Sequence, residues 1–160
     1  MFRKSILFML LALNLFGCAA GSQFYTKDEE TSIMHTLQSK STPKLYLYAK
    51  AMSFANHMGN PFECTLDGNA AGGVKSAEYV VMPVKAGDHT IACTQGVGLA
   101  GVFKVKGTLA LNVGTDNLYV QVTNGTTIYS SLKLASSKTQ PDKFHENYQL
   151  SKTCTACLEK

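Results

Sequence analysis

Leu118-Tyr119-Val120-Gln121-Val122-Thr123-Asn124-Gly125-Thr126-Thr127-Ile128-Tyr129 is the stretch that decides the fold class. Two runs rich in β-branched and aromatic residues flank an Asn-Gly pair, and both Asn124 and Gly125 tolerate the positive φ that a two-residue hairpin demands. Outward from it the same period recurs. Leu45, Leu47 and Ala49 alternate with Tyr46, Tyr48 and Lys50, which reads as a half-buried strand with aromatic residues on its second face. Further strands are expected over 62–66, 79–84, 89–94, 102–105, 108–113, 118–123 and 127–134. Turn chemistry separates them: Asn60-Pro61, Asp67-Gly68-Asn69, Ala86-Gly87-Asp88 and Gly114-Thr115-Asp116-Asn117. Gly87 is expected to supply a backbone angle and His89 to begin a strand. No long helical pattern intervenes, so the chain reads as all-β, an antiparallel β-sandwich of about seven to eight short strands, with a small barrel as the alternative.

The N-terminus follows a different logic. Arg3 and Lys4 precede a short apolar run from Ile6 to Phe16, and Leu15-Phe16-Gly17-Cys18 places a small residue just before a cysteine. The run is shorter than the roughly 20 apolar residues a membrane-spanning helix needs. Leu15 to Cys18 resembles the lipobox of bacterial lipoproteins, with Phe16 departing from the usual small residue. That resemblance implies removal of residues 1–17 and acylation of Cys18, and Ala19 in place of aspartate implies the periplasmic face of the outer membrane. Several acyl chains on one residue give stable anchoring.

Without residues 1–17 the chain has 143 residues and carries 13 basic against 11 acidic side chains, a net charge of +2. That length suits one domain with a complete core. The charge is too small to argue for a nucleic-acid partner. Residues 18–43 are polar and rich in small side chains, and read as a tether. A short helix is possible over 29–38, where Ile33, Met34 and Leu37 fall at helical spacing. The sandwich is expected over 44–134 and a less regular C-terminal tail over 135–160.

Leu45-Tyr46-Leu47-Tyr48, Leu66-Asp67-Gly68, Val84-Lys85-Ala86-Gly87-Asp88-His89-Thr90-Ile91 and Asn117-Leu118-Tyr119-Val120-Gln121-Val122 together resemble small lipoproteins grouped as domain of unknown function 2846. The resemblance covers about residues 44–134. It implies a PEGA-like or transthyretin-like sandwich and no established reaction. Ala86 stands where that pattern usually has proline.

Motifs for catalysis are weak. Gly96-x-Gly98-x-x-Gly101 matches a dinucleotide fingerprint in letters, but strand sequence follows where the motif needs a helix N-terminus. It reads as a Gly-rich hairpin connection over 95–101, with Val97, Leu99 and Ala100 as a candidate contact surface. No Gly-x-Ser-x-Gly elbow or His-Glu-x-x-His helix occurs. Asp28 and Glu29 read as solvated tether charges.

Besides Cys18, four cysteines remain: Cys64, Cys93, Cys154 and Cys157, an even number for an oxidising compartment. All three connectivities are open. A bridge between Cys64 and Cys93 would staple the sandwich, while Cys154 and Cys157 could close on each other or tie the tail to the core. A thioredoxin-like pair at Cys154 and Cys157 lacks a preceding strand, and zinc bound with His145 lacks a fourth ligand. The sequence therefore points to a non-enzymatic envelope lipoprotein with no cofactor or metal, held to the membrane through Cys18, with an envelope protein or small ligand as partner. The rivals are a glycan or small-ligand binder using exposed tyrosines on one sheet face, and a thiol redox or metal protein built on Cys154 and Cys157.

Overall fold

The computed structural model describes residues 24–39, 41–50, 60–97, 103–124 and 132–153. Nine strands form two sheets packed face to face, an all-β sandwich. β1 (Lys44–Ala49), β4 (Glu78–Pro83), β7 (Leu118–Thr123), β8 (Lys133–Ser137) and β9 (Gln149–Leu150) make one sheet, in the order β8-β7-β1-β4-β9. β2 (Phe62–Leu66), β3 (Asn69–Val74), β5 (Gly87–Val97) and β6 (Phe103–Val113) make the other, in the order β3-β2-β5-β6. The expected all-antiparallel pairing holds in the four-stranded sheet only. β1 runs parallel to β7, and β4 parallel to β9. Asn117 fixes the parallel start, since the Lys44 N–H donates to its Oδ1 at 3.0 Å.

Alternation along the strands builds the core. Leu45, Leu47, Val80, Met82, Leu118, Val120 and Val122 point from the five-stranded sheet onto Phe62, Cys64, Val74, Ile91, Cys93 and Leu111 of the other. β1 departs from the half-buried expectation: all six of its residues are buried. Its second face carries Tyr46 and Tyr48, joined by Tyr79, Val81 and Tyr119 from the neighbouring strands. That aromatic surface is covered by α1 (Lys27–Gln38) and α2 (Phe144–Asn147). The segment read as a tether thus carries a docked helix, with Met34 and Leu37 buried.

The hairpin chemistry expected at Asn124-Gly125 appears elsewhere. Leu66 pairs with Asn69 across Asp67 (φ 50°) and Gly68 (φ 79°), so Asp-Gly makes the two-residue turn between β2 and β3. β7 does pair antiparallel with its successor, but Thr123 lies opposite Lys133, so the connection covers 124–132 rather than two residues. Gly125 and most of the strand expected over 127–134 lie outside the described residues. The strands expected over 102–105 and 108–113 are one continuous β6. β5 continues to Val97, opposite Phe103, which confines the Gly-rich connection to 98–102, outside the described residues.

β3 was absent from the sequence reading because Ala70, Ala71, Gly72 and Gly73 have low strand propensity. Pairing makes it. β2 holds one edge, with a register shift between Cys64 and Thr65 and Gly72 at φ 106°. On its other edge the Thr153 hydroxyl donates to Gly73 O at 2.6 Å and accepts from Gly73 N–H at 3.1 Å. The tail therefore runs from β9 of one sheet to β3 of the other and closes that side of the sandwich.

The opposite side is closed by β8 against β6, around Gly107. A Cβ at Gly107 would stand 2.6 Å from Leu132 O and 2.5 Å from Leu134 Cδ1. The first is backbone and cannot swing aside. Gly107→Ala is expected to destabilise the fold by about 1–3 kcal/mol through overpacking. Denaturant unfolding would show this as a lower midpoint; an unchanged midpoint would mean that β8 does not press on β6.

Candidate functional site

Two polar clusters stand out, one at each sheet. At the first, the Asp67-Gly68 turn meets the turn that leads into β5. Gly87 opens that strand at φ 134° with open space around its α-carbon, so the backbone angle, not crowding, favours glycine. His89 Nδ1 lies 2.6 Å from Asp67 Oδ2, and His89 Nε2 lies 2.9 Å from Lys85 O. Asp67 Oδ1 accepts from the Thr90 N–H at 2.8 Å. Asn112 donates to Asp88 Oδ1 at 2.6 Å beside them. A shallow cavity of about 330 Å³ lies against Asp67, Asp88, His89, Thr90, Leu111 and Asn112.

The arrangement looks like an acid-histidine pair, and its hydrogen bonds give it another role. A carbonyl only accepts, so Nε2 must donate to Lys85; an ionised carboxylate only accepts, so Nδ1 must donate to Asp67. An imidazole donating at both nitrogens carries the positive charge and has no lone pair left for a base. The hydrogen bond to Asp67 holds the His89 pKa above its usual value, aided by the Lys85 carbonyl and opposed by partial burial. The same bond, with that from Thr90, holds the Asp67 carboxyl below the ordinary carboxylate range. His89 is a clamp joining the β2–β3 and β4–β5 turns.

The second cluster lies under α1. Thr26 caps that helix: its Oγ1 accepts from the Glu29 N–H, and its own N–H donates to Glu29 Oε2 at 2.7 Å, a reciprocal capping box. That box lowers the Glu29 pKa. The next residue, Glu30, is only 5% exposed. Its Oε1 accepts from Tyr79 Oη at 2.7 Å and lies 3.4 Å from His145 Nδ1, while Lys27 Nζ donates to its Oε2 at 3.3 Å. Lys27 Nζ also donates to His145 O at 3.0 Å, tying α1 to α2. Burial, then the bond to Glu30, drive the Tyr79 pKa strongly upward. Burial likewise pushes Tyr46 up to about 12.

The expected residues distribute as follows. Cys64 and Cys93 are bonded, and they face each other on adjacent strands with Cα atoms 4.1 Å apart. The bridge therefore joins neighbours within one sheet, not the two sheets of the sandwich. Asn124 follows β7 and donates to Gln95 Oε1 at 2.9 Å. Cys18, Gly125, Cys154 and Cys157 lie outside the described residues. The tyrosines expected as an exposed binding face are buried: Tyr46, Tyr48, Tyr79 and Tyr119 are each less than a tenth exposed. Glu30 escaped the sequence reading. The Thr26-Lys27-Asp28-Glu29 capping box announced a helix start there, and with the helix placed, Glu30, Met34 and Leu37 share one face. Among the described residues no cluster of three or more His, Cys, Asp or Glu could hold a metal. No family model, curated protein or solved structure matches the chain.

Two predictions follow from this geometry. A raised histidine pKa adds stability below its unfolded value of 6.5, lost as pH rises through the folded value; a lowered carboxyl pKa adds stability above 3.8, lost as pH falls through the folded value. The stability gap between the wild type and His89→Gln should thus be widest between these two values and shrink on the alkaline side. A gap that stays constant from acid to alkaline pH would contradict the charged clamp. Tyr79→Phe should cost about 1–3 kcal/mol, because it leaves a buried carboxylate oxygen without its closest donor. In a double-mutant cycle with Glu30→Gln the two losses should be strongly non-additive, and simple additivity would deny the coupling.

Proposed function

We propose that the chain is a lipid-anchored envelope protein, held through acylated Cys18 at the periplasmic face of the outer membrane, and that its sandwich is a non-enzymatic binding or structural module. The observation that carries this reading is the sequence Leu15-Phe16-Gly17-Cys18 behind a basic start and a short apolar run. Three further features support it. The Cys64–Cys93 bond suits an oxidising compartment. His89, the histidine nearest to a catalytic geometry, spends both nitrogens on holding turns together. Residue 24 already pairs with Ser151, so only residues 19–23 separate the acylated cysteine from the folded unit.

Replacing Cys18 with alanine should release the protein from the membrane fraction or leave an uncleaved precursor. Cell fractionation with immunoblotting measures both. A Cys18→Ala chain that stays in membranes with mature mobility would sink the anchoring proposal.

A further inference from the structure

The short connection to Cys18 bears on which surface meets the bilayer. Six Cα steps from Cys18 to Phe24 reach at most about 20 Å. A sandwich on so short a lead stays against the membrane it is anchored to, and one of its surfaces must face the headgroups.

The end of the β5–β6 hairpin differs from the rest of the described surface. Phe103 is the exposed large hydrophobic side chain, 67% accessible, and it opens β6 opposite Val97. Lys104 and Lys106 follow it and are both exposed. Lys133, exposed on β8, adds charge where β8 lies beside β6. By register the nearest acidic side chain is Glu63, two strands away across Thr94 from Lys106. From Gln95 to Phe103 the sequence contains no charged residue. Phe103 at the start of β6, with Lys104 and Lys106 close by on the other face of the strand and no acid adjoining them in register, matches an end-on contact with an interface that is apolar below and anionic at its surface.

We propose that Phe103, with Lys104 and Lys106, is a contact surface for an anionic lipid bilayer, seating the start of β6 in the headgroup region. The proposal rests on the anchoring reading for its proximity to lipid, while its own content is the orientation of the domain. Phe103 supplies the buried ring and the two lysines pair with headgroup phosphates.

The chain has no tryptophan, so Phe103→Trp introduces a single reporter. The full chain, purified from membranes in detergent, would be returned to phosphatidylethanolamine vesicles with or without phosphatidylglycerol. Lys85→Trp, on the turn at the other end of β5, is the control. On anionic vesicles the Phe103→Trp emission should shift to the blue and be quenched by brominated acyl chains, while Lys85→Trp stays water-like. Adding Lys104→Glu and Lys106→Glu should abolish the preference for phosphatidylglycerol. Flotation reports the anchor separately. A chain that floats with both reporters water-like keeps the anchor and overturns the contact. A chain that does not float, yet shifts at position 103 when anionic vesicles are added, keeps the contact and sinks the anchor. Neither floating nor shifting overturns both. A shift produced by soluble envelope extract and not by vesicles assigns the surface to a protein and also overturns the proposal.

Discussion

The ring of Phe144 rests on four tyrosines of the five-stranded sheet at once, and the architecture outside the sandwich core follows from that contact. Its centroid lies 5.8 Å from Tyr46, 5.4 Å from Tyr48, 5.1 Å from Tyr79 and 5.5 Å from Tyr119, mostly edge to face. Tyr46 and Tyr119 stack in register across the parallel β1–β7 pair, 4.7 Å apart. Edge-to-face pairs add about 0.5–1.5 kcal/mol beyond area burial, and truncating a buried phenylalanine costs about 3–5 kcal/mol. A sheet with aromatic side chains on its second face cannot leave that face in water. It must therefore recruit cover, and the chain supplies it from both ends: α1 before the first strand and α2 after the eighth.

The cover is positioned by a charge. Glu30 is the polar group of α1 that sinks deepest, and it is tolerated because Tyr79, His145 and Lys27 surround its two oxygens. Among the described residues no fully buried side-chain nitrogen or oxygen lacks a hydrogen-bond partner. A buried carboxylate adds less net stability than an apolar side chain of the same size. Its value here is positional. Sliding α1 by one turn would leave both the carboxylate and the tyrosine hydroxyl buried without their mates, so the helix has one seat. The four-stranded sheet is specified by different means, the Cys64–Cys93 bond and the two-turn clamp of His89. Its outer face carries small side chains such as Thr65, Ala92, Thr108 and Ala110, which ask for no cover.

Period-two alternation made six of the strands legible, because a residue pattern that repeats every second position fits a pleated sheet and nothing else of that length, while β8 overlaps the strand expected over 127–134 only at Lys133 and Leu134. The same signal could not show β3, whose Ala-Ala-Gly-Gly run is a strand only by virtue of its neighbours, nor β9, two residues long. Tertiary context also explains the hairpin. Asn-Gly and Asp-Gly have equal local fitness for a two-residue turn, and sequence alone could not tell that Asp67-Gly68 would close one while Thr123 of β7 met Lys133, ten residues further on. The candidate site was half visible. His89 read as a turn residue and is one, but its partner Asp67 comes from a turn 22 residues earlier. Glu30 was hidden by the polar character of its surroundings, since composition reports average burial and a single buried acid contributes little to it.

The placement of α1 changes what an N-terminal anchor would mean for this fold. A long polar tether would let the sandwich move independently of the bilayer. Here the chain is fixed from Phe24 onward, first by its bridge to Ser151 and the Tyr25 N–H bond to Leu150 O at 3.2 Å, then by α1 on the tyrosine face. A pull from such an anchor would be delivered to β9, and through the β9–β4 ladder to the rest of the five-stranded sheet. The strand that would receive it, β4, presents Tyr79 to Glu30 and Phe144, so the residues that hold the aromatic cover would also bear that load.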